Sequence, residues 1–219
     1  MPYPCRTLLF VGALVLASPL RAAHWAGIGP YGGVVHDLAV DPQTPSTVYA
    51  VTAGGVFRSA DGGATWAPRS TGIHAFSYSE GFGHLAIDAA HPATLYLVRT
   101  LNPDTLLKTT DAGLTWTRTS LGGLDNPRSV AVHPRSSDTI YVMAFDRMAV
   151  STDGGGTWLS TPVVASAEPL SLALDPVSPA VAYLGTGFAY SGEGGVYKTT
   201  DAGRTWQQVN AGLTSLDIV

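Results

Sequence analysis

Short apolar runs recur along this chain in sets of three, separated by turn residues, and beyond residue 22 none keeps a helical period. Each set opens on a run closing near Asp-Pro or His-Pro: HDLAVDP (36–42), HLAIDAAHP (84–92), SVAVHP (129–134) and SLALDP (171–176). A tyrosine-bearing run follows: TVYAVT (47–52), TLYLVR (94–99), TIYVMA (139–144) and VAYLGT (181–186). The third is GVFRS (55–59), LLKTT (106–110), MAVST (148–152) or VYKTT (196–200). The first two runs are apolar nearly throughout, the pattern of strands covered on both faces. The third leads into a segment written four times, SADGGATW (59–66), TTDAGLTW (109–116), STDGGGTW (151–158) and TTDAGRTW (199–206), at whose Thr-Trp a fourth strand is expected to begin.

Four strands per unit at a period of 40–50 residues predict an all-β fold, a β-propeller of four-stranded antiparallel blades. The units run over about 34–70, 84–120, 129–162 and 170–210 within a domain spanning 23–219. Residues 24–33 (HWAGIGPYGG) look like a further fourth strand, because Trp25 precedes the first unit as Trp66 precedes the second. Residues 214–219 read as the start of another unit. That makes one strand too many for a closed four-bladed ring, so the expectation is an incomplete or open ring. The alternative is a four-bladed ring with 24–33 loose. An open array exposes edges that invite further blades or a second copy.

The eight-residue box has a mechanical reading. An Asp side chain can accept bonds from residues that follow it and so pin a tight reversal. Asp61, Asp111, Asp153 and Asp201 stand at that position. Gly63, Gly113, Gly155 and Gly203 follow two residues later, where φ > 0 is expected. Trp66, Trp116, Trp158 and Trp206 are then placed to wedge between neighbouring units. These residues fit S/T-x-D-x-G-x-T-W at every position in all four copies. The pattern resembles the Asp-box, or BNR repeat, of sialidases, xyloglucanase-type hydrolases, sortilin-type receptors and the photosystem II stability factor. The resemblance implies a propeller in which the box is a structural turn.

Other features narrow the class. Arg6, the apolar run 8–17 and the small residues ending at Ala22 form a secretion signal over 1–22, so a secreted or periplasmic protein is expected. Ten apolar residues are too few to span a bilayer. The single cysteine, Cys5, falls inside the signal, which leaves the mature chain without a thiol. Charged residues make up 13% of the chain and the net charge is −4. With only Lys108 and Lys198 as lysines there is no basic stripe to neutralise phosphates, so nucleic acid is not an expected partner. The six histidines show no metal-ligand spacing, and no cofactor fingerprint occurs; no metal or cofactor is expected.

Strand parity puts the boxes and the near-identical Pro/Ser/Asp turns on one face. The variable loops fall on the other, where binding usually resides. Candidate ligand-binding residues there are Tyr78, Glu80, Arg99, Asp104, Asp146, Arg147, Tyr190 and Glu193. Aromatic rings beside carboxylates suit sugar faces and hydroxyls, and would also suit a general acid or base. The resemblance to sialidases stops at the box, since the early Arg-Ile-Pro motif is absent. Neither aspartate of the xyloglucanase-type site maps onto the chain, and the catalytic residues of any enzyme reading stay unassigned. The expectation is a non-catalytic module binding a glycan or a protein, with a fragment of a propeller glycoside hydrolase as the alternative.

Overall fold

The computed structural model describes residues 29–30, 33–73, 83–99, 105–124, 126–145, 147–162, 167–189 and 194–216. The predicted signal at 1–22 and most of 24–33 lie outside them. Of 214–219, residues 214–216 are described and form no strand.

Unit one comprises β1 (Val35–Val40), β2 (Val48–Thr52), β3 (Gly55–Ser59) and β4 (Ala67–Pro68). Unit two holds β5 (Gly83–Ile87), β6 (Leu95–Arg99), β7 (Thr105–Thr109) and β8 (Thr117–Thr119). Unit three is β9 (Pro127–His133), β10 (Ser136–Ala144), β11 (Arg147–Ser151) and β12 (Leu159–Pro162). Unit four is β13 (Ala167–Leu174), β14 (Ala182–Ala189), β15 (Gly195–Thr199) and β16 (Gln207–Gln208). Each unit is a separate four-stranded meander in chain order, antiparallel at every pairing. The fold is therefore the all-β propeller architecture the spacing predicts. The fourth strand begins just after the tryptophan, one residue later than the sequence suggests. The indole occupies the turn, so pairing starts only beyond it.

Among the described residues three apolar clusters hold the units together, and each straddles one seam. Tyr49, Val51 and Val56 of unit one meet Leu85, Leu95, Leu97 and Trp116 of unit two. Tyr96, Val98 and Leu106 meet Val130, Ile140 and Val142. Tyr141, Met143 and Val150 meet Ala182, Leu184 and Tyr197. Alternation along each strand explains this: successive residues point to opposite faces, so one face serves the preceding unit and the other the next. The inner strands pack in sequence, β1 on β5, β5 on β9 and β9 on β13. Among the described residues no comparable packing joins unit four to unit one. The array is open, as expected of an incomplete propeller.

Each box is one hydrogen-bonded knot. Asp61 Oδ1 accepts from Ser59 Oγ at 2.7 Å and from Thr65 N at 2.9 Å. Its Oδ2 accepts from Thr65 Oγ1 at 2.5 Å, while Ser59 Oγ accepts from Gly63 N at 2.8 Å. The same four bonds recur around Asp111, Asp153 and Asp201. The residue after each Asp is also left-handed, including Ala112 and Ala202, a strain the sequence did not signal. At Gly203, φ is +79° and an added Cβ would stand 2.6 Å from Val150 Cγ2 of unit three. Gly203→Ala is expected to cost about 1–3 kcal/mol from backbone strain and overlap. Chemical denaturation reads this; no change in midpoint would refute the close approach.

The opposite turns on the box face are pinned similarly. Asp41 Oδ1 accepts from Gln43 N and Thr44 N, Asp88 Oδ1 from Ala90 N and His91 N, and Asp175 Oδ1 from Val177 N and Ser178 N. His133 replaces the Asp in unit three. Its Nδ1 accepts from Arg135 N, so Nε2 carries the proton and donates to Asp175 O at 2.8 Å across the seam. The His91 side chain bonds other side chains: its Nδ1 meets Asp88 Oδ2 and, in unit three, Ser137 Oγ.

Candidate functional site

The inner strands begin on the face opposite the boxes, and their first residues surround a cleft of about 670 Å³. Its walls come from three units. Unit two supplies His84 at the start of β5, and unit three supplies Asn126, Arg128 and Ser129 at the start of β9 with Met143 near the end of β10. Unit four supplies Pro169, Leu170, Ser171 and Leu172 from β13. No single unit could make this surface. It exists because neighbouring inner strands converge with their starts on one side. Its size falls within the roughly 300–1,000 Å³ of ordinary ligand sites.

Its chemistry is mixed. Leu170 is 45% exposed although apolar, and Pro169, Leu172 and Met143 are the other apolar residues of the lining. The rest of the lining supplies a guanidinium, an amide, two hydroxyls and an imidazole. The Arg128 guanidinium lies 5.0 Å from the centroid of the Phe145 ring, a cation–π contact that restrains its direction. Phe145 itself is 51% exposed on the same side of the unit. Asn126 adopts φ +50°, a left-handed turn that leads the chain into β9 just before Arg128.

Behind His84 stands Asp37 of unit one. Its Oδ2 accepts from Leu85 N at 2.7 Å and lies 3.6 Å from His84 Nδ1. Burial alone would raise the Asp37 pKa, but the neighbouring His84 imidazole and the bonds from Leu85 N and Leu38 N outweigh it and hold it below the usual carboxylate range. The carboxylate is thus ionised at neutral pH and orients the imidazole at the cleft wall. A second hollow, about 70 Å³ beside Thr157 and Arg204 on the box face, is too small for more than a few waters. Among the described residues no group of His, Cys, Asp and Glu is arranged to hold a metal ion.

Of the residues expected to bind ligand, Arg99 ends β6 and Arg147 opens β11, both on the cleft's side of their units but not in its lining. Tyr78, Glu80, Asp104, Asp146, Tyr190 and Glu193 lie outside the described residues. Arg128 and His84 were overlooked by sequence reasoning, although a signal existed. Aligned on the apolar triplets Leu38–Val40, Leu85–Ile87, Val130–Val132 and Leu172–Leu174, the two preceding positions read His-Asp, Gly-His, Arg-Ser and Leu-Ser. Variation beside an invariant core position marks a surface free to specialise.

No protein-family model matches the chain, and no curated protein matches its sequence. Solved structures do match its fold. A GH74 enzyme from Niastella koreensis is 25% identical with a TM-score of 0.63, over 81% of this chain and 30% of that one. The GH74 xyloglucanase from Xanthomonas campestris is 22% identical with a TM-score of 0.62, over 85% and 32% respectively. YCF48 from Cyanidioschyzon merolae is 18% identical with a TM-score of 0.60, over 84% and 59%. The chain thus spans about a third or less of these GH74 enzymes and 59% of YCF48. These likenesses define a propeller module.

Proposed function

We propose that the chain is an exported Asp-box propeller module whose role is binding, with the ligand seated in the cleft opposite the boxes. The observation that carries this reading is the cleft itself. It joins a guanidinium and several hydrogen-bond donors to an apolar lining that includes the exposed Leu170. That pairing suits a protein segment offering carbonyl or carboxylate oxygens beside an apolar side chain, and a glycan is the competing ligand. The Asp-box assignment rests on the box sequence together with its fourfold recurring knot, and export rests on the leader.

A second reading, a fragment of a GH74-like hydrolase, is favoured by the two GH74 structures among its likenesses. Glycoside hydrolysis uses two carboxyl groups flanking the bond. Among the described residues the cleft lining contains none, and the carboxylate nearest His84 is Asp37.

The test is capture on peptide and glycan arrays by the full chain and by Arg128→Ala. Loss of the guanidinium is expected to weaken capture about tenfold or more, the effect of removing one charge-assisted contact of roughly 1.5–3 kcal/mol. Unchanged capture would remove the cleft from the account. Turnover of xyloglucan oligosaccharides would favour the hydrolase reading.

A further inference from the structure

One register position on the inner strands carries a carboxylate, an imidazole and two hydroxyls in turn. Directly before the apolar triplets stand Asp37 on β1, His84 on β5, Ser129 on β9 and Ser171 on β13. The fold makes no single demand on chemistry here, since all three kinds of group are accommodated. In spatial order the first three are the orienting acid, the base and the nucleophile of acyl-transfer chemistry. They are far apart in the chain, and the packing of β1 on β5 and of β5 on β9 is what brings them into line.

Asp37 shows how far this position reaches. Its side chain crosses to the next inner strand, where Oδ2 accepts from Leu85 N at 2.7 Å and lies 3.6 Å from His84 Nδ1. With Nδ1 turned to the carboxylate, Nε2 on the far side of the ring is the nitrogen left for the cleft. The His84 side chain is 44% exposed and lines that cleft together with Ser129. Because the units repeat, the imidazole holds toward β9 the place that Asp37 holds toward β5. Val130 N likewise matches Leu85 N, an amide that already binds an anionic oxygen. Among the described residues no hydrogen bond joins Ser129 Oγ to His84. A turn about the serine Cα–Cβ bond redirects that oxygen, and such bonds often tighten only once substrate is bound.

We infer that Ser129, His84 and Asp37 hydrolyse carboxylic esters bound in the cleft, an inference that rests on the cleft being the ligand site. Ser129 Oγ bonds to the ester carbonyl carbon as its proton passes to His84 Nε2. The carbonyl electron pair moves onto oxygen, and Val130 N donates to the oxyanion so formed. Collapse breaks the bond to the alcohol, which leaves with the proton from His84, while the acyl group stays on Ser129. Water then repeats the sequence: it gives a proton to His84, its oxygen joins the acyl carbon, and Ser129 Oγ departs with that proton. The products are one alcohol and one carboxylic acid. Asp37 is a positioning residue, holding the imidazole in the orientation that offers Nε2. Met143, Pro169, Leu170 and Leu172 suit an ester whose acyl chain is apolar.

An alkyl fluorophosphonate should label the full, unmodified chain once, losing fluoride as phosphorus bonds to Ser129 Oγ; peptide mass mapping reads the site. The same chain should turn over p-nitrophenyl butyrate, and Ser129→Ala should fall to the background rate. His84→Gln is expected to lower kcat about a hundredfold or more, the usual worth of a general base. Asp37→Asn keeps an acceptor for Leu85 N, so it should lower kcat while leaving KM unchanged. A merely structural Asp37 would instead shift the thermal midpoint without that split, which would remove it from the set. Labelling at Ser171 or any other serine would overturn the assignment of Ser129. A chain that captures ligand through Arg128 yet shows neither label nor turnover would overturn the inference and leave the ligand reading standing. Loss of all three would take both down.

Discussion

Trp116→Ala is expected to lower the stability of the array by about 3–5 kcal/mol, the range for emptying a buried aromatic site. The indole is 4% exposed and lies in the cluster shared by units one and two. Its Nε1 donates to Arg69 O of unit one at 2.8 Å, so truncation also strips a partly buried carbonyl of its donor. The backbone fixes the same spot: Trp116 N donates to Thr71 O at 2.9 Å, and Gly72 packs so closely on the Trp116 carbonyl that a Cβ there would collide with it. The surroundings are therefore held on both sides and cannot collapse into the vacancy. Trp158→Ala should cost less, because that indole is only half-buried and its Nε1 has no partner. Urea denaturation followed by circular dichroism distinguishes them. Equal losses would mean that the seam between units one and two is not specially built.

Acidification is expected to unfold the chain between about pH 4 and pH 2. The carboxyls of Asp61, Asp111 and Asp201 are pulled down to about 2, and that of Asp153 lies lower still. The leading cause is the box threonine hydroxyl at Asp61, Asp153 and Asp201, and the Thr109 hydroxyl at Asp111. Backbone N–H donors add to it. In the unfolded chain the same groups titrate near 3.9. Because the folded pKa is the lower one, the unfolded chain binds protons first as pH falls. The stabilisation is whole above about 4 and drains away as pH drops through the folded values near 2. Four knots titrate together, so thermal midpoints should fall steeply over that interval and hardly change between pH 5 and 7. Substituting Asn for one Asp should make the acid limb shallower. A flat profile down to pH 2 would show that the boxes contribute little to folding.

Much of the architecture was readable because its determinants are local. Ser59, Asp61, Gly63 and Thr65 close their turn within seven residues, and the turn repeats with its strands, so period and parity follow directly. Parity also gave the side on which loops vary. The cleft was not readable, since His84, Arg128 and Leu170 come together only through the packing of three inner strands. The sequence drew attention instead to aromatic and acidic loop residues such as Tyr78 and Glu193. The seam tyrosines were visible as a motif, but their bonds to Gly154 O and Pro179 O depend on how closely adjacent units approach.

Among the described residues each apolar cluster straddles a single junction between adjacent meanders. A meander added or removed changes how many junctions there are without redesigning any of them. Gene duplication could therefore lengthen or shorten such arcs stepwise, each intermediate inheriting a ready-made core. The breadth of the hollow opposite the boxes would then follow from the number of parts more than from any one side chain.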